Sequence, residues 1–283
     1  MDEQQPRQSQ QSFNIENSVF ENSQIGGIAG RDLNINYYST TPQNPEADPP
    51  LSREENRQRK VLLNKVKTSW IDGVLDKSLH AQFLIELGLE IRNQHIQNPL
   101  ENFDKFITDQ SKKLPGGTTA SSLFEDMGDG RTLLILGEPG AGKTVTLLKL
   151  AESLILRAEQ NISLPIPVIM NLSSWSKFRR PIDEWLVQEL YEIYNISKSL
   201  GADWIKGEKM LLLLDGLDEV DSQYRNECVK SINCFIQEHG FTEIVICSRI
   251  QDYERLDDRL KLQNAIYVKP LTRQQIDHFL KKS

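Results

Sequence analysis

The sequence predicts an α/β fold in which helices flank a parallel sheet of about five strands. Five short apolar runs lack the alternation of a half-exposed strand, and stretches of helical periodicity separate them. Such runs are typical of strands buried on both faces, and helical crossovers make these strands parallel. We expect a small helical region and a disordered N-terminal region before this sheet. The five runs are TLLIL (132–136), IPVIMNL (166–172), LLLLD (211–215), EIVICS (243–248) and AIYV (265–268).

Composition argues against several classes of protein. The chain has 283 residues, 38% of them hydrophobic, which is sufficient for a folded core. Its net charge of −7 argues against a general nucleic-acid-binding surface, because neutralising phosphates requires clustered Lys and Arg. The 3 cysteines lack the spacing of a disulfide framework or a zinc site. The sequence has neither a signal peptide nor an apolar run of about 20 residues, so we expect a cytoplasmic protein without a membrane span.

Shifts in composition divide the chain into three predicted regions. The first is rich in Gln, Asn and Ser and ends in the proline-bearing stretch TTPQNPEADPP, which is typical of an extended linker. The second opens with Ser52 and Glu55 in a capping-box pattern, and apolar residues follow at helical spacing as far as Trp70. Further periodic pieces at 79–89 and 103–107 extend this small helical region. The three predicted regions are 1–50, 51–115 and 116–283.

A phosphate-binding loop follows the first buried strand. The stretch GEPGAGKT (137–144) satisfies G-x-x-x-x-G-K-[ST] and precedes a predicted helix at 145–159. The glycines allow successive backbone N–H groups to face the phosphates, and the helix N-terminus adds its dipole. We expect Lys143 to neutralise the β- and γ-phosphates and the Thr144 hydroxyl to coordinate Mg²⁺. The predicted nucleotide-binding residues are Gly137, Glu138, Pro139, Gly140, Ala141, Gly142, Lys143, Thr144 and Val145.

The stretch LLLLDGLDE supplies acidic groups to the same site. A buried strand that ends in Asp215 delivers a carboxylate to the carboxyl edge of the sheet, where it can hold Mg²⁺ through water. Gly216 permits a sharp turn that brings Asp218 and Glu219 beside the γ-phosphate, and one of the two could orient and deprotonate the attacking water. The alternative is that these acids face solvent or cap the helix that begins near residue 221.

The next buried strand, EIVICSRI, ends in Ser248 and Arg249. A polar pair at this edge is suited to sensing the γ-phosphate and to stabilising charge as that phosphate leaves. The alternative is a surface ion pair of Arg249 with Asp252 or Glu254.

With these three motifs in this order, the sequence resembles the NACHT NTPases, a branch of the STAND signalling ATPases related to AAA+ proteins. The second acidic pair, Asp218 and Glu219, is distinctive of NACHT proteins, and the flanking segments are similar to NACHT proteins of cyanobacteria and other multicellular bacteria. The resemblance spans roughly residues 51–280. It implies a P-loop NTPase core with strand order 5-1-4-3-2, switching between a closed monomer and an active oligomer driven by ATP, and antiphage or related defence signalling.

The end of the sequence departs from that family pattern. KPLTRQQIDHFLKKS begins a helix, with Thr272 and Gln275 in a capping-box pattern, and the sequence then stops. STAND proteins continue into a helical lid, a winged-helix domain and a sensor region. We therefore expect a truncated or split product, with a separately encoded sensor as one partner.

Three functions are compatible with the sequence. The first is an ATP-binding signalling switch that self-associates and hydrolyses ATP weakly, with no direct nucleic-acid partner. The second is a P-loop motor or loader acting on nucleic acid or protein, and the third is an inactive nucleotide-binding scaffold. A GTPase is disfavoured because no N-K-x-D motif follows, and Leu123 and Phe124 are candidates for the base pocket. The catalytic candidates are Asp218, Glu219 and Arg249, and the Mg²⁺ ligands are Thr144 and Asp215.

A second glycine cluster, NSQIGGIAGRDLNIN, lies in the N-terminal region. It is not a phosphate loop, because neither a Lys-Ser/Thr pair nor a preceding buried strand accompanies it. IENS and FENS recur five residues apart, a pattern that can stack strands into a β-arch or a cross-β zipper. Residues 12–38 resemble the short amyloid-like signalling motifs at the N-termini of STAND proteins, and a few turns of a β-helix or plain disorder are the alternatives. Such a motif would offer a protein partner a matching strand.

Overall fold

A computed structural model of the protein describes residues 52–77, 88–97, 114, 117–128 and 130–270. The predicted motif at 12–38, most of the piece at 79–89, the piece at 103–107 and the terminal helix after residue 270 lie outside these residues. The region boundaries expected at residues 50 and 115 stay predictions. Within the described part of the chain, no helix combines the length and the apolar character needed to cross a membrane.

Within the described residues, the centre of the fold is one sheet of 6 strands in the order β1-β6-β2-β5-β4-β3. The last five strands in the chain are parallel to one another and match the five predicted runs. Counted along the chain among themselves, they lie in the order 5-1-4-3-2 that the family resemblance implies. The strands are β1 (Leu89–Ile91), β2 (Thr132–Gly137), β3 (Ile166–Asn171), β4 (Met210–Asp215), β5 (Glu243–Arg249) and β6 (Asn264–Val268).

Strand β1 corrects the expectation of helix as far as residue 89. Leu89 pairs with Val268 and Ile91 pairs with Ile266, so β1 is an antiparallel edge strand on β6. The three-residue strand takes its backbone hydrogen bonds from a partner that is distant in sequence. The spacing of apolar residues along the chain does not reveal a pairing with a distant strand. A short apolar piece also fits a helix or a strand equally well.

Helices cover both faces of the sheet and take up most of the intervening chain. Helix α1 continues as π-helix at Lys67–Leu75, and 3₁₀ turns lie at Asn93–His95, Leu172–Lys177 and Leu217–Glu219. The helices are α1 (Arg53–Val66), α2 (Ala120–Glu125), α3 (Lys143–Gln160), α4 (Ile182–Tyr194), α5 (Lys198–Lys206), α6 (Arg225–Glu238) and α7 (Ile250–Glu254).

Helix α1 starts at the predicted cap, with one difference. The Ser52 hydroxyl accepts a hydrogen bond from the Glu55 backbone N–H at 3.1 Å, as the capping-box pattern indicates. The Glu55 carboxylate does not complete the box but pairs with Lys209 at 3.2 Å. Glu55 therefore ties the first turn of α1 to the segment that leads into β4.

Arg59 joins α1 to the helix that follows the phosphate loop. Its Nη2 donates to the backbone carbonyls of Ala158 at 3.0 Å and Asn161 at 3.3 Å, at the C-terminal end of α3. These carbonyls have no partner inside the helix and carry its negative partial charge, which a guanidinium complements. Burial lowers the pKa of Arg59. The polar bonds hold α1 in register on α3.

Tyr194 covers the free edge of β3. Its hydroxyl donates to the Ile169 carbonyl at 2.5 Å and accepts from Trp70 Nε1 at 2.9 Å, while Lys65 donates to the Tyr194 carbonyl at 2.6 Å. Burial raises the pKa of Tyr194, so the hydroxyl stays a donor. The hydrogen bond to Ile169 occupies a carbonyl of this edge strand that could otherwise pair with another chain.

Trp175 and Trp185 pack in the core. Each is about 1% exposed, which leaves no room for a ligand cage. Their indole N–H groups donate to the Arg180 carbonyl at 2.8 Å and to the Ser174 hydroxyl at 3.0 Å. The two side chains thereby fix the chain between β3 and α4.

We predict that Tyr194→Phe lowers stability although it removes a single oxygen. The Ile169 carbonyl and the Trp70 N–H both lose their partner, at a cost of about 1–2 kcal/mol. For a chain of this size we expect the melting temperature to fall by about 3–6 °C, measured by differential scanning fluorimetry. Tyr191→Phe on the exposed face of α4 is the matched control and leaves the melting temperature unchanged. Equal melting temperatures for the two variants would contradict the assigned role of Tyr194.

Candidate functional site

The predicted phosphate loop connects β2 to α3 at the carboxyl edge of the sheet, and its backbone requires glycine. Gly140 and Gly142 have φ angles of 73° and 95°, in the left-handed region that other residues rarely adopt. A Cβ on Gly137 would lie 3.0 Å from the Val268 carbonyl oxygen and 3.2 Å from Cγ of Lys143. The spacing of the motif therefore follows from sterics at three positions.

Lys143 is the first residue of α3 and lies across the loop. Its Nζ donates to the carbonyls of Gly137 at 3.2 Å and Glu138 at 3.1 Å. The Ala141 N–H also bonds to the Glu138 carbonyl at 3.1 Å and closes the turn. The helix N-terminus and the ammonium group thus bring positive charge to one concave stretch of backbone.

The other predicted nucleotide-binding residues differ in their exposure. Pro139 and Gly140 are exposed, whereas Ala141 is buried and Val145 packs partly against the core. The Glu138 carboxylate accepts from Gln251 at 3.3 Å, so this side chain is directed toward α7. Binding of a nucleotide by these residues stays a prediction.

Thr144 and Asp215, the predicted Mg²⁺ ligands, lie in direct contact. The Thr144 hydroxyl donates to Asp215 Oδ2 at 2.7 Å. Burial raises the pKa of Asp215, and the negative charges of Glu219 and Asp218 act in the same direction, whereas hydrogen bonds from Thr144 and the Gly216 N–H act against them. A carboxylate that resists ionisation between two other acids is stabilised by a bound cation.

Gly216 makes the sharp turn that the sequence predicts after Asp215. Its φ of 76° is left-handed, and a Cβ here would lie 2.9 Å from Oε2 of Glu219. The chain then forms the 3₁₀ turn Leu217–Glu219, which contains the two remaining acids and directs their side chains to different partners. Asp218 and Glu219 take different partners.

Asp218 holds Arg249 at two points. Its Oδ1 accepts from the Arg249 backbone N–H at 2.9 Å, and its Oδ2 lies 2.8 Å from Arg249 Nε. The Asp218 side chain is 6% exposed and that of Arg249 is 49% exposed. The ion pairs considered as alternatives for Arg249 have other members, since Asp252 pairs with Arg225 at 3.1 Å and Glu254 lies 3.8 Å from His95.

Two residues that sequence reasoning missed position the acids. Asn171, at the end of β3, donates from Nδ2 to Glu219 Oε2 at 2.8 Å. Arg225, at the start of α6, donates to the Asp218 carbonyl at 2.5 Å as well as pairing with Asp252. Asn171 could have been found, because an amide that ends a buried strand lies at the same edge as Asp215. Arg225 carries no local signal.

Two other expectations receive less support from the geometry. Ser248 is fully buried and its hydroxyl bonds to the Arg249 carbonyl at 3.3 Å, so the exposed member of the predicted pair is Arg249. Phe124 is also fully buried, with the Arg131 guanidinium 4.5 Å from its ring centroid, and is closed to a base. Leu123 is partly buried against the core.

The chemistry of the site fits a magnesium nucleotide. Thr144 and Asp215 offer hard oxygen atoms, which Mg²⁺ prefers, and the backbone cradle and Lys143 offer positive charge to phosphates. Among the described residues no group of three or more His, Cys, Asp or Glu side chains could hold a metal ion. A cation here would thus depend on phosphate oxygens and water for its remaining ligands, as is usual for Mg²⁺.

Comparison with known proteins assigns the part of the chain that contains this site to a known domain family. The NACHT domain family matches residues 131–283, more than half of the 283 residues. No curated protein matches the sequence. Among solved structures, PCH-2 of C. elegans is similar at 21% identity with a TM-score of 0.30, over 53% of this chain and 40% of PCH-2. The chain therefore spans less than half of the length of PCH-2.

We predict that Asp215→Asn raises the melting temperature of the protein without ligands. The same substitution should abolish the rise in melting temperature that we expect Mg²⁺ and ATP to cause. The folded state holds the Asp215 proton more tightly than the unfolded chain, so this residue's contribution to stability falls as pH rises from about 3.9 through its raised pKa. At pH 7 the amide avoids that loss, and the melting temperature should rise by about 1–3 °C.

The control is Asp203→Asn, which alters an exposed carboxylate on α5. It should change neither the ligand-free melting temperature nor the shift caused by Mg²⁺ and ATP. Differential scanning fluorimetry at pH 5 and pH 7, with and without Mg²⁺ and ATP, measures both. A fall in the ligand-free melting temperature of Asp215→Asn at pH 7 would contradict the burial argument.

Proposed function

Because the chain belongs to the NACHT family, we propose that it is a signalling switch whose self-association depends on whether ATP or ADP is bound. Family membership makes the protein a nucleotide-binding P-loop NTPase, and NACHT domains generally bind nucleotide with a divalent metal. The finer proposal concerns ATP and Mg²⁺ as the ligands, weak hydrolysis, and an output in bacterial defence signalling. The resemblance of the flanking segments to bacterial NACHT proteins supports this output.

The paired contact of Asp218 with Arg249 carries the proposal. ATP and ADP differ in the γ-phosphate, so a switch requires a group whose bonding changes with that phosphate. Arg249 ends β5 at the edge that holds the phosphate loop, and its guanidinium is bonded to an almost buried carboxylate while half exposed. A γ-phosphate would compete with Asp218 for this cation, and ADP would not.

The other residues of the site have roles that follow from their present bonds. On binding, Lys143 would transfer its hydrogen bonds from the Gly137 and Glu138 carbonyls to phosphate oxygens. Thr144 and Asp215 would hold Mg²⁺ in place of their mutual hydrogen bond. The metal ion supplies neutralisation of the phosphate charge. These exchanges replace one satisfied set of bonds by another, which suits a balance between two states.

Hydrolysis is assigned to Glu219. The Asp218 carboxylate already accepts a hydrogen bond from Arg249, and its backbone carbonyl accepts one from Arg225, so this residue is not available to a water molecule. Glu219 is exposed and its carboxylate accepts a hydrogen bond from the Asn171 amide at 2.8 Å, so it is the acid that can turn to a water molecule. We propose Glu219 as general base and Asn171 as the residue that holds it away from the water, which makes turnover slow.

We predict that the mass of the protein in solution depends on the nucleotide and that Arg249 is required for this dependence. By sedimentation velocity we expect a larger species with Mg²⁺ and ATP than with ADP. Glu219→Gln should keep this species for longer, because turnover falls by about 100-fold while ATP still binds. Arg249→Ala should bind ATP within about threefold of the wild type but show one mass with either nucleotide.

Arg255→Ala, an exposed arginine in the turn after α7, is the matched control and behaves as wild type. Lys143→Ala should lose nucleotide binding and remain in the ligand-free state. Identical masses with ATP, with ADP and without nucleotide would contradict the proposal that self-association depends on the nucleotide.

A further inference from the structure

A short basic and aromatic segment lies on the same edge of the sheet as the nucleotide site. Residues 177–180 read Lys-Phe-Arg-Arg and connect the 3₁₀ turn after β3 to α4. All four residues are exposed. We call this segment the KFRR loop. None of the nucleotide-binding roles above uses it.

Phe178 is exposed although nothing in the fold requires an aromatic residue there. Its side chain is 53% exposed in a loop whose neighbouring tryptophans are buried. The Arg180 guanidinium carbon lies 5.5 Å from the ring centroid, which is within the range of a cation–π contact. The loop therefore presents an aromatic ring that carries a planar cation over one face and leaves the other face for a ligand.

The three cations of the loop make no direct ion pair with a carboxylate among the described residues, although burial raises the pKa of the Glu189 carboxyl and the nearby charge of Lys177 acts to lower it. Lys177, Arg179 and Arg180 take part in no ion pair within the part of the chain that the structure describes, whereas arginines such as Arg131 and Arg225 are paired. The nearest acids in sequence, Asp183 and Glu184, lie in the first turn of α4, where they complement the helix N-terminus. A local patch of positive charge thus exists in a chain of net charge −7.

The loop is held in one conformation. Arg179 has a φ of 49°, which is strained for a residue with a side chain, and its N–H bonds to the Trp175 carbonyl at 2.9 Å. The Trp175 indole in turn donates to the Arg180 carbonyl at 2.8 Å, and the Arg179 guanidinium lies 4.4 Å from the Tyr224 ring centroid. A fixed, strained backbone that displays an aromatic ring favours a binding surface over a flexible connection.

We propose that the KFRR loop binds single-stranded nucleic acid, with a base stacked on Phe178 and phosphates on Lys177, Arg179 and Arg180. Exposed bases stack on aromatic rings without regard to sequence, and cations beside the ring track the backbone. An acidic peptide has no flat face for Phe178, and an anionic membrane surface would require more apolar area than a single ring. The chain's acidic balance limits the site to this patch and excludes an extended basic groove.

The loop is connected to the hydrolytic residues, and this step rests on the proposed function. Asn171 precedes the loop by a single 3₁₀ turn, Leu172–Lys177, and its side-chain amide donates a hydrogen bond to Glu219. That turn packs against the turn Leu217–Glu219, which contains the acids. Tyr224, beneath Arg179, immediately precedes Arg225 at the start of α6. A strand bound at the loop is thereby placed to change ATP turnover.

Fluorescence anisotropy of a labelled 20-nucleotide oligo-dT with the full chain, without ATP, tests the proposal. Contact with three phosphates predicts a slope of about −2 for the logarithm of the binding constant against the logarithm of the salt concentration. Phe178→Ala should weaken binding about tenfold and leave the slope intact. The double variant Arg179→Ala, Arg180→Ala should reduce the slope to about −0.7.

Two controls match these variants. Phe241→Ala removes an aromatic residue that is 81% exposed in the turn before β5, and Arg255→Ala removes an exposed arginine; both should bind as wild type. The proposal is overturned if the oligonucleotide does not bind at low salt, or if Phe178→Ala binds equally well. Equal binding of polyglutamate or of anionic vesicles, insensitive to Phe178, also overturns it.

The two proposals fail separately. Lys143→Ala should still bind the oligonucleotide, since the loop does not include the phosphate site. Loss of the ATP-dependent mass change with oligonucleotide binding intact would remove the switch alone. Loss of oligonucleotide binding with an intact mass change would remove the inference about the loop alone.

Discussion

The parallel pairing of β2, β5 and β4 is the constraint on which the rest of the structure depends. These strands are buried on both faces, so their hydrogen-bonded register fixes where each one ends. Gly137, Asp215 and Arg249 come from distant parts of the sequence and meet at one edge because each ends a strand of this group. The glycines that follow β2 and β4 then turn the chain over this edge, and the acids and the cations come into contact.

The charges at that edge are balanced against one another. Lys143 is bonded to carbonyls, Thr144 to Asp215, Arg249 to Asp218 and Glu219 to Asn171, so the principal polar groups of the site each have a partner. A site in which every exchange of partners loses one bond and gains another has a small net energy of switching. That balance is the physical ground for the proposal that the protein acts as a switch.

The sequence predicted the elements whose signal is local. Fully apolar strands and the phosphate loop carry strong local patterns, and all five parallel strands and the motif positions agree with the structure. Strand β1 depends on hydrogen bonds to β6, and the partner of Arg249 depends on a turn that begins at Gly216, so neither could be read from neighbouring residues. Asn171 was visible as a polar strand end, but its bond to Glu219 required the sheet order.

Helix α1 illustrates how far the NTPase core reaches beyond the motifs. The P-loop helix α3 is engaged at both ends: its N-terminus forms the phosphate loop, and its C-terminal carbonyls accept hydrogen bonds from Arg59 of α1. A helix of 18 residues is stiff, so under the proposed switch a shift at the phosphate end would be carried to the end that α1 holds. The residues of α1 are therefore packed on the NTPase core, and we expect the proposed switch to involve them as well as the motifs.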